Sequence, residues 1–596
     1  MQTLSVIRQR ITAPKSKIGR LVQSKSEIFV ISLVVFVTRW STLMQPLVER
    51  HDFRQTQTAF TTLTMADGQG GLFSSKLPLF GAPWELPLEF PLFQYIASIA
   101  YKVFNLNIDF ANRVTALSFF CLCLFPLQTI ALRYMSRLGA FLACLLFAFS
   151  PFAIQWSRAS LIEYCVVFFG LLFVSFSLEY WERPSWSTGV VAALCGATAG
   201  LIKVTTLLPM IIFLVILILN KRELFSELSR NLRKILGAAA ILLSVLITTQ
   251  MWVKFSDHIR ASNPATVWLT QSRLNQWNFG TLQQRQEILN WKVLYERIDQ
   301  LISPPSTILI FLLIGVIARR SRRLVLASLI STLLTMAVFF NLYIVHDYYL
   351  IAISFTVALI VAGTIDAIWS TIKTKRVQVI GWVLIPILTI GYTVVDGKSY
   401  WASAYNKYPR LDSELAQLSQ PHQQAFVSWG GWNSLILYYA NRKGMMLTPE
   451  AISLAYLKSL PDLNKYDFYA GNTDWPDVMK IRGLYSPAGQ FVTRIDNNIN
   501  DLRALGVVFG NIPTPPNQIF VNAKVMQCNG TDALNLREIP IGTYIKITNS
   551  DSQHFSVSQN LQSVPVGTSI QIVNEIPKNN SGMLVCGGDD AILLEW

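Results

Sequence analysis

Residues 49–54 read Glu-Arg-His-Asp-Phe-Arg, and they follow directly on a long apolar run. An acid beside a cation can do transfer chemistry. Asp52 can take the proton of an attacking hydroxyl while Arg54 holds a phosphate, with His51 beside them as a further substrate contact. The plain alternative is an interfacial charge cluster that ends a helix. A second stretch, 150-SPFAIQWSRASLIEYC-165, places Arg158 and Glu163 between two apolar segments. Ionisable groups are costly there and face a cavity or a partner, so the alternative is a mutual ion pair. Lys203 sits in 199-AGLIKVTTLLP-209, where a lysine either serves a site or snorkels to the interface. The fourth stretch is 341-NLYIVHDYYL-350. His346, like His51, precedes an aspartate, and His346, Tyr348 and Tyr349 can meet a phosphate or a sugar. An interfacial tyrosine belt is the competing account.

These residues need elements that bring them to one place, and the composition says what the elements are. Hydrophobic residues make up 52% of the 596 positions and charged ones only 14%. A soluble chain carries about a quarter charged residues. The apolar residues cluster: 235-ILGAAAILLSVLITTQMWV-253 contains no charged residue and is long enough to cross a bilayer core of about 30 Å. Apolar runs near 28–45, 112–132, 138–155, 164–181, 188–203, 204–220, 235–254, 305–318, 324–341, 349–370 and 377–396 predict about eleven spans.

Basic residues sort the loops. Arg133 and Arg137, Arg183, Lys221 to Lys234, Arg319 to Arg323, and Lys373 to Arg376 mark every second loop as cytoplasmic. The N-terminal segment 1–27 is a basic cytoplasmic tail without a cleavable signal. The stretch 90–104 is short for a span and would invert every later loop if it crossed, so it reads as a juxtamembrane or re-entrant helix. Asp52, Arg54, Arg158, Glu163, Lys203 and His346 then share one, outward, face of the membrane. The outward loops are 42–91, the turn around Arg158, and 255–304.

Residues 400–596 change character: short β-like runs (424–429, 506–510, 543–548, 569–573) alternate with turns and a helical stretch at 433–442. This predicts a soluble, extracytoplasmic, mixed α/β domain behind the transmembrane bundle of 28–399. Cys528 and Cys586 lie in it, and sequence leaves open whether they pair. The net charge of +15 belongs to the cytoplasmic loops, and no basic stripe interleaved with aromatics suits nucleic acid.

Across most of 28–396 the pattern resembles the GT-C integral-membrane glycosyltransferases, in particular the family 39-like group of protein O-mannosyltransferases and lipid A aminoarabinose transferases. The matching motifs are His51-Asp52-Phe53-Arg54 after the first span, 87-PLEFPLFQY-95, the Arg158/Glu163 turn, 200-GLIK-203, and His346-Asp347-Tyr348-Tyr349. The resemblance implies a mainly α bundle of GT-C type, a polyprenyl-phosphate sugar donor, and inverting transfer in one step with Asp52 as catalytic acid/base. Two departures stand out. Phe53 occupies the place of a common Glu, and Glu89-Phe90-Pro91 replaces a common Lys-Pro-Pro. Phosphate contact therefore falls to Arg54, Arg158, Lys203 and His346.

The expected function is a membrane glycosyltransferase acting on a hydroxyl of a lipid, glycan or protein at the outer face of a bacterial inner membrane. No obligatory metal or other cofactor is expected, since Asp52 and a distant Glu163 make a thin cation site. The rival is a transporter or flippase of a lipid-linked or anionic substrate. That reading asks for polar groups at the bilayer midplane and related halves, and no internal repeat is visible.

Overall fold

The computed structural model describes residues 17–219, 228–302, 306–318, 321–372, 374–396 and 411–446, and beyond these the strands between 466 and 592. Six helices among the described residues are long and apolar enough to cross a membrane: Ser26–Leu43, Ile108–Ala131, Glu163–Glu182, Trp186–Leu219, Leu232–Ser262 and Asp347–Trp369. Shorter apolar helices cover Arg137–Ala148 and Ile308–Ile317. Further helices run over Arg322–Val338 and Lys375–Asp396.

The helix expected over 138–155 is broken. It stops at Ala148 and restarts at Pro151–Trp156, because Pro151 has no N–H to continue the ladder and Ser150 caps Ala153 N at 3.2 Å. The expected span at 235–254 is the middle of a longer helix, Leu228–Ser262, whose last turns reach the site.

The segment Trp186–Leu219 is a hairpin with its tip at Lys203, where φ −165° and ψ 103° leave the helical region. Gly170 on the neighbouring helix packs against Leu207 and Met210, and Phe173, one turn along, packs against Gly196. In one straight helix residues 196 and 210 would stand about 21 Å apart, so partners about 5 Å apart require the chain to reverse. Arms 188–202 and 204–219 therefore run antiparallel, and Lys203 is held at their turn. Gly200 lets this tip approach the Leu228–Ser262 helix, since a Cβ there would lie 2.3 Å from Thr249 Oγ1.

Two further helices flank the tip, Asp52–Ala66 and Leu92–Phe104. The second leaves Tyr95, Ile99, Val103 and Phe104 exposed while Phe93 and Ala97 are buried, the pattern of a helix lying along an interface. The 255–304 loop is helical in short pieces, Asn275–Phe279, Leu282–Gln286 and Ile288–Asp299.

The C-terminal segment is α/β in its described part. A five-stranded sheet has the order Gly444–Met446, Gln424–Ser428, Tyr466–Asn472, Gln490–Arg494, Gly483–Tyr485, with its first two pairings parallel and the rest antiparallel. Its edge continues into the 42–91 loop, where Met446 N donates to Leu79 O (2.7 Å) and Gly444 N to Pro78 O (3.2 Å). One apolar core joins Leu47, Phe60, Leu79 and Phe80 to Leu415, Phe426, Leu437 and Met445. This part is thus docked on the 42–91 loop. The expected strand at 506–510 and Cys528 lie outside the described residues.

Candidate functional site

A cavity of about 680 Å³ opens beside the hairpin tip. Arg54, Glu89, Lys203, His346, Tyr348 and Tyr349 line it, together with Arg260, Trp268, Trp277 and Trp432. Leu201, Val204, Trp252 and Val253 give it an apolar flank between the hairpin and the Leu228–Ser262 helix.

Local structure explains how each arrives. His51 adopts a left-handed conformation (φ 54°, ψ 41°) that turns the chain into the Asp52–Ala66 helix, and Arg54 follows in its first turn. Arg54 donates to Glu89 and to Gln57 Oε1 (3.2 Å). Burial disfavours the Arg54 charge, but Glu89 outweighs this and holds the guanidinium above its ordinary range. The 87–91 segment is tied to the hairpin by Phe90 N donating to Leu201 O (3.2 Å), which brings Glu89 beside Lys203. Burial works against the Glu89 carboxylate, and Arg54, Lys203 and Arg260 still keep it below the usual range, so it is ionised at neutral pH.

Lys203 Nζ donates to Glu163 Oε1 at 2.6 Å and lies over the rings of Tyr348 (5.2 Å) and Tyr349 (4.9 Å). Two aromatic rings and one carboxylate so hold a single ammonium. His346 stacks on Tyr348 at 5.3 Å and meets Trp277 at 5.8 Å. Burial, His51 and Lys203 push its pKa down to about 3, against Asp347. His346 was expected among the phosphate-binding cations. At neutral pH it is an uncharged ring instead, and its Nδ1 has no hydrogen-bond partner among the described residues.

Four other expected residues, Arg158, Glu163, Asp52 and His51, are not part of the cavity lining. Arg158 is fully buried in a network with Arg113 and Glu49: Glu49 Oε1 lies 2.8 Å from Arg158 Nη1 and 2.5 Å from Arg113 Nη1. The two guanidinium groups overcome burial and hold the Glu49 carboxyl down at about 2. Arg158 therefore does not face a donor phosphate, and it pairs with Glu49, not with Glu163 as the sequence allowed. Glu163 is buried against Lys203 and positions it. Asp52 is buried too. Its Oδ1 accepts from Phe53 N (2.6 Å) and from Asn433 Nδ2 (3.2 Å), which engages it with the C-terminal segment.

His51 Nε2 donates to the Asp347 carboxylate at Oδ1 (2.7 Å), and Arg50 and Arg297 reach Asp347 Oδ2 at 3.3 and 3.8 Å. Asp347 thus fixes the loop that carries Tyr348 and Tyr349.

Glu89, Trp268, Arg260 and Trp432 were not expected at the site. Glu89 was legible only as a departure from a family motif. Trp432 lies far down the chain, in a Trp429-Gly-Gly-Trp432 turn whose glycines have φ of 60° and 65°, and it packs on Trp268 (5.6 Å) and Phe80 (6.4 Å). No group of three or more His, Cys, Asp or Glu gathers as a metal site among the described residues.

The family model described as dolichyl-phosphate-mannose-protein mannosyltransferase matches residues 87–252. No curated protein sequence matches the chain. Among solved structures, ArnT from Cupriavidus metallidurans bound to undecaprenyl phosphate is similar, with a TM-score of 0.52 at 11% identity over 81% of this chain and 99% of that one. The apo state of the same ArnT gives 0.52 at 12% identity, over the same shares. The Archaeoglobus fulgidus oligosaccharyltransferase in its apo form gives 0.50 at 12% identity, over 94% of this chain and 76% of that one. At such identities the likeness is one of fold. The chain is a multi-pass integral membrane protein with the GT-C fold.

Proposed function

We propose that this protein is a glycosyltransferase that moves a sugar from a polyprenyl-phosphate donor to a hydroxyl acceptor, with inversion, at the extracytoplasmic face of a bacterial inner membrane. The observation that carries the reading is the composition of the cavity. Arg54, Lys203 and Arg260 gather around one carboxylate, Glu89, with an apolar flank on one side and tryptophans on the other. The cations suit a phosphate whose charge grows as the sugar leaves. The apolar flank of Leu201, Val204, Trp252 and Val253 suits a prenyl chain. Trp268, Trp277 and Trp432 leave an aromatic wall for the acceptor. The donor class agrees with the undecaprenyl phosphate bound by ArnT.

In this reading Arg54 and Lys203 hold the phosphate, His346, Tyr348 and Tyr349 line the sugar, and Glu163 and His51 position Lys203 and the tyrosine loop. Asp52 sits beside this group and ties it to Asn433. The test is transfer of radiolabelled sugar from undecaprenyl-phosphate hexoses and pentoses, in membranes holding wild type or Arg54→Ala. Transfer or donor hydrolysis that needs Arg54 supports the enzyme. Tight donor binding with no turnover would favour a transporter instead.

A further inference from the structure

The cavity contains a carboxylate that the sequence motifs do not assign. Glu89 is the one acidic side chain among the described residues that line it. One of its oxygens, Oε1, accepts from Arg54, and the carboxylate has no second protein partner among the described residues. The side chain is 20% exposed, and Glu89 lines the cavity. We infer that Glu89 is the general base that takes the proton of the incoming acceptor hydroxyl. The inference rests on the glycosyltransferase reading and deepens it.

The other carboxylates near the site are occupied elsewhere. Asp52 holds Phe53 N and Asn433 and is absent from the cavity wall. Glu163 is buried against Lys203. Asp347 is held by His51, Arg50 and Arg297. His346 faces the cavity with its ring packed against Tyr348 and Trp277. Glu89 stays ionised at neutral pH, so it is ready to receive a proton.

The step balances on the groups present. The acceptor oxygen forms a bond to the anomeric carbon of the donor as its proton passes to the free oxygen of Glu89. The bond from that carbon to the phosphate oxygen breaks, and its electron pair leaves on the polyprenyl phosphate. Arg54 and Lys203 meet the added charge. Arg54 serves both sides, because a guanidinium offers five donors in one plane. Attack and departure occur on opposite faces of the ring carbon, which gives inversion.

The experiment uses the full-length protein in membranes, with the undecaprenyl-phosphate sugars named above. Glu89→Gln keeps the size of the side chain and a bond to Arg54. It is expected to lower turnover about 10²- to 10⁴-fold, the usual contribution of a general base. Binding of undecaprenyl phosphate, read separately by thermal shift, is expected to be retained. Glu89→Ala with added formate is expected to recover part of the lost turnover, which a purely structural glutamate would not allow. Asp52→Asn is expected to keep more turnover than Glu89→Gln. Turnover in Glu89→Gln at the wild-type rate would overturn the inference while leaving the enzyme reading intact. Loss of undecaprenyl phosphate binding in Glu89→Gln, with no formate rescue of Glu89→Ala, would assign Glu89 to the scaffold and overturn it also. Absence of turnover by wild type with every donor would instead overturn the enzyme reading, and this inference with it.

Discussion

Lys203 Nζ and Glu163 Oε1 lie 2.6 Å apart, joining the tip of one helical hairpin to the first turn of the helix it packs on. The pair is buried, so removing one member leaves an unpaired charge in an apolar surround. Breaking such a pair costs about 3–5 kcal/mol, whereas removing both members is far milder. Lys203→Met alone is therefore expected to lower the yield of folded protein. Lys203→Met with Glu163→Gln is expected to recover folding yet bind undecaprenyl phosphate less tightly, by about 1.5–3 kcal/mol for one charged hydrogen bond. Thermal melting and lipid binding on the two variants separate these effects. Donor affinity at the wild-type level in the double variant would remove Lys203 from the phosphate site.

Glu49 is the one carboxylate in contact with the buried guanidinium groups of both Arg113 and Arg158 among the described residues. Glu49→Gln leaves two buried cations without their shared anion. A loss of about 3–5 kcal/mol is expected, visible as a large fall in the melting temperature in detergent. A melt unchanged by the substitution would contradict the arrangement of this network.

Trp432 reaches the cavity from the C-terminal segment and packs on Trp268. Trp432→Ala is expected to raise the acceptor KM while undecaprenyl phosphate binding is unchanged. An aromatic contact contributes about 0.5–1.5 kcal/mol beyond its area, or roughly 2- to 10-fold in KM. Steady-state kinetics with varied acceptor give the answer, and an effect on donor binding alone would place Trp432 on the donor side.

His346 has its pKa lowered from 6.5 to about 3 in the folded protein. As pH falls through 6.5 the unfolded chain gains this proton and the folded chain does not. The unfolded state then binds more protons, so folding stability declines between pH 6.5 and pH 3. His346→Phe is expected to remove that part of the slope. Melting temperatures of wild type and variant across pH 7.5 to 4.5 check this, and parallel curves would count against a neutral His346.

How far the site was legible depends on whether its residues are tied by the topology of the membrane. The apolar runs and the basic loops put Asp52, Arg54, Arg158, Glu163, Lys203 and His346 near one surface, because charge and hydropathy act locally along the chain. The same local rules marked 90–104 as a helix beside the bundle, and Lys203 as a boundary between two apolar segments. They say nothing of which cation meets which acid. Arg158 and Glu163 are five residues apart and read as a pair, but each has a partner supplied by a distant segment, Glu49 and Lys203.

Sequence by itself determined that this chain lives in a membrane, and which stretches hold its ionisable residues at the ends of the apolar segments. Hydrophobic transfer and the cost of buried charge are settled by residue type over windows of about twenty residues. Only the tertiary structure decided which side chains face the cavity. Glu89 enters it because Phe90 N bonds to Leu201 O, and Trp432 because the sheet edge at Gly444–Met446 pairs with Pro78 and Leu79. Asp52 is drawn to Asn433 instead. These contacts join positions more than one hundred residues apart, where no local spacing records them.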